Sequence, residues 1–302
     1  MVPEPRPDRA SLRDWLTGAR VRTLPAAVAP VLAGTGAAAA VDGAHGVRAL
    51  LAAGVALALQ VGVNLANDYS DGIRGTDDHR VGPTRLTASG AVPPATVRRA
   101  AFAAFGVAAV LGLALCAAAG TWWLLAVGAL CVVAAWYYTG GRNPYGYRGL
   151  GEVAVFVFFG LVATVGTTYT QALQVTTASV LAGAGVGAVA CALLMANNIR
   201  DIPTDTEAGK RTLAVRLGDR RARWGYVGLL AAALVAGAAS LPAAGVAPGW
   251  LALLLLPLAL AAPQASRVLR GASGRELITV LRDTGLLELA LGAVLGLALW
   301  LG

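Results

Sequence analysis

The chain has 302 residues, 57% hydrophobic and only 13% charged, with 24 Lys and Arg against 16 Asp and Glu and a formal net charge of +8. A soluble domain carries about 25% charged residues, so the composition excludes a soluble globular protein, and the same figures exclude disorder, which needs low hydrophobicity and high charge. Three cysteines, Cys116, Cys131 and Cys191, each sit inside an apolar run and exclude a disulfide scaffold, leaving a polytopic membrane protein.

Residues 1–23 form a basic stretch (Arg6, Arg9, Arg13, Arg20, Arg22) interleaved with Glu4, Asp8 and Asp14. Those acids, and Pro25 and Pro30 in the following apolar run, argue against a cleaved leader. The stretch is expected as a cytoplasmic tail. Nine apolar segments follow, at about 24–41, 48–66, 100–119, 121–138, 153–171, 178–196, 224–241, 249–265 and 284–301. Each approaches the ~20 residues that cross a bilayer as a helix. They are apolar all round, whereas strands of a membrane barrel alternate with a period of two. The expectation is an all-α bundle of about nine transmembrane helices, one domain over 24–302. With the N-terminus in the cytoplasm, strict alternation places every Lys and Arg except Arg48 on the cytoplasmic side, as the positive-inside bias requires. Anionic lipid headgroups account for the net charge. The basic residues are dispersed through short loops, which argues against a nucleic-acid partner.

Seven of the 16 carboxylates fall in two stretches read as cytoplasmic loops that continue apolar helices. The first runs from Asn64 through Asn67, Asp68, Asp71 and Arg74 to Asp77 and Asp78. The second runs from Asn197 and Asn198 through Asp201, Asp205 and Glu207 to Lys210 and Arg211. Asn67 and Asp71 are four apart, as are Asp201 and Asp205, so each pair shares a helix face. Pro203 predicts a kink or a new helix start between the second pair. Carboxylates so placed suit Mg²⁺, which prefers oxygen ligands and bridges carboxylates to substrate phosphates. Arg74, Arg85, Lys210 and Arg211 are natural partners for phosphate oxygens. Two acidic sites fit a two-metal clamp around a diphosphate. A solvated loop is the bland alternative, but acids that recur twice at membrane helix ends, each time joined to Asn, favour function. With only His45 and His79, zinc and haem sites are not expected. No nucleotide-binding fingerprint is present, and Gly140-Gly141 is a weak phosphate cradle. Glu288, in the last helix, is expected to line an interior cavity or pair with another helix.

The two motifs resemble the aspartate-rich motifs of the UbiA superfamily of intramembrane prenyltransferases. The longer strings around them resemble its 1,4-dihydroxy-2-naphthoate polyprenyltransferase branch. They are Arg20-Val-Arg22-Thr-Leu-Pro25, Asn67 to Asp77, Gly82-Pro-Thr-Arg85, Tyr138-Thr-Gly-Gly, Pro144 to Glu152, and Asn197 through Arg216. One departure is Gly75, where the general pattern has a third Asp; the nearest acid is Asp77. The resemblance implies a central cavity open toward the membrane and a Mg²⁺-dependent alkyl transfer. Asn67, Asp71, Asp77, Asp201 and Asp205 would hold metal on a polyprenyl diphosphate, and Asn67, Asp71, Asp201 and Asp205 would be catalytic. It also implies acceptor contacts from Arg22, Tyr138, Tyr145, Tyr147, Arg148, Asn197 and Asn198. For the tyrosines, an interfacial aromatic belt is an equal reading. The implied product is demethylmenaquinone, formed with loss of carbon dioxide. Another aromatic acceptor, 4-hydroxybenzoate or homogentisate, is the nearest alternative, and a secondary transporter is the alternative from another class.

Overall fold

A computed structural model describes residues 11–76 and 85–302, with the backbone alone for Arg22. Among the described residues every regular element is helical. The first is α1 (Leu12–Gly18). The Ser11 hydroxyl accepts the Asp14 amide at 3.2 Å and the Asp14 carboxylate accepts the Ser11 amide at 2.8 Å, a reciprocal cap. Hydrogen bonds from the Ser11 hydroxyl and amide hold the Asp14 carboxyl below its usual range. A 3₁₀ turn, Val21–Thr23, leads into α2 (Pro25–Ala39), where Pro25 occupies a first-turn position that needs no N–H donor. There follow α3 (Gly46–Gly72), α4 (Pro94–Ala119), α5 (Leu124–Thr139) and a 3₁₀ turn, Tyr145–Arg148. Next, α6 (Gly151–Val155), a π-helical stretch (Phe156–Val162) and α7 (Ala163–Ala172) form one continuous apolar rod. The remainder is α8 (Thr177–Glu207), α9 (Leu213–Leu217), α10 (Asp219–Ala243), a 3₁₀ segment (Pro248–Leu254) running into α11 (Leu255–Leu269), and α12 (Gly274–Leu301).

All nine apolar segments of the sequence fall in helices, but they are not nine equal spans. Among the described residues, seven helical rods are long and apolar enough to cross a membrane. The other two, α2 with 15 residues and α5 with 16, are shorter. At 1.5 Å per residue they reach only about 22–24 Å of a hydrocarbon core about 30 Å thick.

Two expectations are corrected. The motif residues Asn67 to Gly72 and Asn197 to Glu207 are the last turns of α3 and α8, not loops. α8 also continues through Pro203 without a new start. Two hydroxyls add bonds to the turn that follows: Thr204 donates to the Asp201 carbonyl at 3.1 Å and Thr206 to that of Ile202 at 2.7 Å.

Small residues let the inner helices meet backbone to backbone, which substitutes for the hydrophobic force that lipid does not supply. A Cβ on Gly292 of α12 would lie 2.6 Å from the Ala29 Cα of α2, and one on Gly160 would lie 2.7 Å from the Gly183 carbonyl oxygen of α8. α8 is the central pillar, with 72% of its apolar window buried against 28% for the peripheral α4. Peripheral helices turn large apolar residues outward, among them Phe102, Val110 and Leu113 on α4, Val235 on α10 and Leu255 on α11. That is the expected surface of a bundle in lipid.

Candidate active site

The site is assembled where α3, α5 and α8 end together. On α3, Gln60, Asn64, Asn67 and Asp71 follow at intervals of four, three and four, so they form one polar stripe on an apolar helix. Asn67 Oδ1 accepts the Thr139 hydroxyl of α5 at 2.8 Å. Asp71 Oδ1 accepts the Tyr147 hydroxyl at 2.6 Å. Burial, and then the charge of Asp71, push the Tyr147 phenol up, so it stays protonated and donates. Burial pushes Tyr145 up to about 12, and its hydroxyl donates to the Ala134 carbonyl at 2.8 Å. Tyr138 meets Tyr145 edge-on, with ring centroids 5.5 Å apart. Asp68, fully buried beside the stripe, has a different task. Its carboxylate accepts the backbone amides of Leu86 (2.9 Å) and Thr87 (2.8 Å), fastening the returning chain to α3.

The end of α8 supplies the other half. Arg200 grips Asp201 through two nitrogens, at 2.7 and 2.8 Å, and donates to Asn197 Oδ1 at 2.8 Å. The Lys210 ammonium lies 3.6 Å from Asp205 and 5.0 Å from the centre of the Tyr147 ring. The Arg211 amide donates to the Tyr147 carbonyl at 2.9 Å, joining the two segments. Asn198 donates to Glu152 at 3.0 Å. Asp71, Asp201 and Asp205 are all buried. A buried carboxylate needs partners, and Tyr147, Arg200 and Lys210 supply them to Asp71, Asp201 and Asp205.

Above and between these residues lies a cavity of about 680 Å³. Its body is apolar, formed by residues such as Ala56, Leu59, Val63, Phe158, Phe159 and Leu194. Its other end is polar and basic. Of the residues expected from sequence, Asn67, Asp71, Arg85, Tyr138, Tyr145, Asn197, Asn198 and Lys210 line it. Asp201 and Asp205 stand behind that lining, next to Arg200 and Lys210. Arg74 turns to the carbonyls of Thr139 and Gly141 and ties α5 to α3. Tyr147, Arg148 and Arg211 lie in a second, shallower hollow of about 480 Å³, with Arg142 and Arg216. Asp77 and the Arg22 side chain lie outside the described residues. Among the described residues, no three acidic, His or Cys side chains converge on one point. The donors present, Asn and Asp oxygens without thiolate or imidazole, are those of a hard divalent cation.

Sequence reasoning missed several lining residues: Gln60, Asn64, Thr139, Arg13, Arg20, Arg200 and Arg282. The spacing of Gln60 and Asn64 ahead of Asn67 and Asp71 was the available signal for the first two. Arg200 was signalled only by standing next to Asp201.

The model of the UbiA prenyltransferase family matches residues 27–281. A 1,4-dihydroxy-2-naphthoate octaprenyltransferase of Mycobacterium tuberculosis is 54% identical over 277 residues, covering 92% of this chain and 93% of that one. One of Escherichia coli is 40% identical over 251 residues, covering 81% and 82%. Among solved structures, a UbiA homologue from Archaeoglobus fulgidus bound to GPP and Mg²⁺ superposes with a TM-score of 0.68 at 15% identity, covering 95% and 99%. A homologue from Aeropyrum pernix gives 0.65 at 18%, covering 90% and 96%. On the match over most of its length, and on the close relatives, this chain belongs to the UbiA prenyltransferase family.

Proposed function

We propose that the protein transfers a polyprenyl group from an allylic polyprenyl diphosphate to 1,4-dihydroxy-2-naphthoate, releasing diphosphate and carbon dioxide and giving the reduced, quinol form of demethylmenaquinone. The observation that carries this is one cavity that joins a polar end, where Asn67 and Asp71 face Arg85 and Lys210, to an apolar body, in a chain 54% identical to a naphthoate octaprenyltransferase. The diphosphate belongs at the polar end, where Asn67, Asp71, Asp201 and Asp205, with Asp77, would hold Mg²⁺. Mg²⁺, when bound there, offsets the charge that grows on the leaving diphosphate. Lys210 and Arg85 line that end and share the task, with Arg74 and Arg211 nearby. Tyr147 holds Asp71 in place through its 2.6 Å bond, and Arg200 does the same for Asp201.

As the allylic C–O bond breaks, its electron pair leaves with the diphosphate. The apolar walls keep water from the resulting allylic cation. The ring carbon that bears the carboxylate attacks, and the carboxylate leaves as carbon dioxide, restoring the aromatic ring. Tyr138, Tyr145, Asn197 and Asn198 line the cavity beside that ring, with Arg22 and Arg148 as further acceptor contacts. The basic end, at the termini of α3, α5 and α8, faces the cytoplasm, with residues 1–23 as its tail. The opposite end carries Arg48, which donates to the carbonyls of Thr170 and Gln171.

The test is product mass spectrometry. Purified protein in detergent receives Mg²⁺, an allylic diphosphate and, in parallel, dihydroxynaphthoate, 4-hydroxybenzoate or homogentisate. Prenylated naphthalene lacking the carboxylate is the expected product. Prenylation of another acid alone would refute the acceptor, and no release of diphosphate with any acceptor would refute the reaction class.

A further inference from the structure

The cavity contains a second polar feature that the reaction as derived leaves idle. Glu288 of α12 is fully buried and lines the cavity, and among the described residues neither of its carboxyl oxygens has a hydrogen-bond partner. Gln60 of α3 lines the same cavity. Its amide nitrogen donates to the Thr23 hydroxyl at 2.9 Å, while its buried Oε1 has no partner among the described residues.

Packing puts the two side chains at one depth. The Val21–Thr23 turn that receives Gln60 packs against α12. Ala29, six residues beyond Thr23, lies against Gly292, one helical turn beyond Glu288. Gln60 precedes Asp71 by eleven residues of α3, a rise of about 16 Å, so this station lies well below the carboxylate rim. The rim stays available for a diphosphate.

Unpaired buried polar atoms are costly, and the cost is recovered when a ligand pairs them. An unpaired carboxyl and an unpaired amide oxygen lining the cavity call for a ligand that brings hydroxyl groups. A prenyl chain has none, and an ionised diphosphate brings no hydroxyl hydrogen. We propose that Glu288 and Gln60 bind hydroxyl groups of the aromatic acceptor and set the preference for a dihydroxylated ring, an inference that rests on the acceptor proposed above. A ring hydroxyl donating to a carboxyl oxygen also pushes electron density into the ring, which favours attack on the allylic cation. An acceptor with that hydroxyl methylated leaves the oxygens unpaired and is rejected, as sites built to bind a hydroxyl reject analogues that cannot donate.

The experiment compares the wild-type protein with Glu288→Leu, Glu288→Gln and Gln60→Leu. Each is assayed on dihydroxynaphthoate and on its mono-O-methyl ether, with the acceptor and the prenyl diphosphate varied in turn. The wild type should prefer the free dihydroxy acid by at least ~100-fold in kcat/KM. Glu288→Leu should raise the acceptor KM at least ~10-fold, leave the prenyl diphosphate KM within ~2-fold, and shrink the preference at least ~10-fold. Gln60→Leu should act in the same direction. Without substrate, Glu288→Leu should melt no lower than wild type, because it removes an unpaired buried carboxyl, whereas a structural Glu288 would make it melt lower. Should the leucine variant not fold, Glu288→Gln carries the test, since its amide keeps one acceptor oxygen and should weaken acceptor binding to a smaller degree. An unchanged acceptor KM and preference in the folded variants would overturn the inference. So would a rise confined to the prenyl diphosphate KM, or a wild type indifferent to methylation. A wild type that leaves dihydroxynaphthoate unprenylated while prenylating another acid overturns the acceptor assignment instead.

Discussion

Replacing Asp71 by Asn separates charge from shape at the centre of the site. Asp71 is buried, and its Oδ1 accepts the Tyr147 hydroxyl at 2.6 Å. An asparagine oxygen can accept the same bond, so the joint between α3 and the Tyr145–Arg148 turn survives. The change also removes a buried negative charge, which is neutral or favourable for the fold alone. Stability should therefore stay within about 0.5 kcal/mol of wild type. Turnover should fall at least ~100-fold, equivalent to about 2.7 kcal/mol of lost transition-state stabilisation. Asp201→Asn is a less clean probe. Its carboxylate is gripped by Arg200, whose side chain is only 3% exposed, so weakening that pair should also cost about 1–3 kcal/mol of stability. The two substitutions together should cost much less in turnover than the product of their separate effects if both acids serve one diphosphate. The assay is single-turnover prenylation followed by mass spectrometry, with melting recorded on the same preparations. Near-normal turnover of well-folded Asp71→Asn would refute the assignment of that carboxylate to the chemistry, and a collapse of its melting temperature would make Asp71 structural.

Chelation should abolish turnover, and Mg²⁺ or Mn²⁺ should restore it, because the candidate ligands are all oxygens; full turnover in excess chelator would contradict the diphosphate clamp. Asp68→Ala should destabilise the fold by about 1–3 kcal/mol, since it orphans the buried amides of Leu86 and Thr87, and a melting curve identical to wild type would show that those bonds contribute nothing. In a variant with Cys116, Cys131 and Cys191 replaced, a thiol reagent applied outside cells should label Gln174→Cys and not Arg142→Cys. The basis is the charge asymmetry that leaves Arg48 alone at the far end, and same-side labelling would refute the orientation.

Composition determined the class, because a chain with 13% charged residues cannot cover itself with a water-compatible surface. The lengths of the apolar runs placed the helices, and the paired Asn and Asp motifs pointed to cation-assisted diphosphate chemistry, because carboxylates are rarely kept beside lipid without a use. Lengths were less legible. The polar motif residues looked like loop but extend α3 and α8, since a helix continues into polar sequence when its neighbours supply partners. Tyr147, Arg200 and Lys210 supply them here. The division of labour among like residues was decided only by tertiary structure. Asp68 and Asp71 are three apart on one helix, yet one fastens a returning strand of chain and the other faces the cavity. Arg74 and Arg85 both follow the first motif, yet one is held by backbone carbonyls of Thr139 and Gly141 while the other lines the cavity. Glu288 and Gln60 lie 228 positions apart in sequence and line one cavity, joined by the Val21–Thr23 turn that binds Gln60 and packs on α12. Local sequence sets which residues share a helix face, whereas which faces meet depends on the packing of segments far apart in the chain.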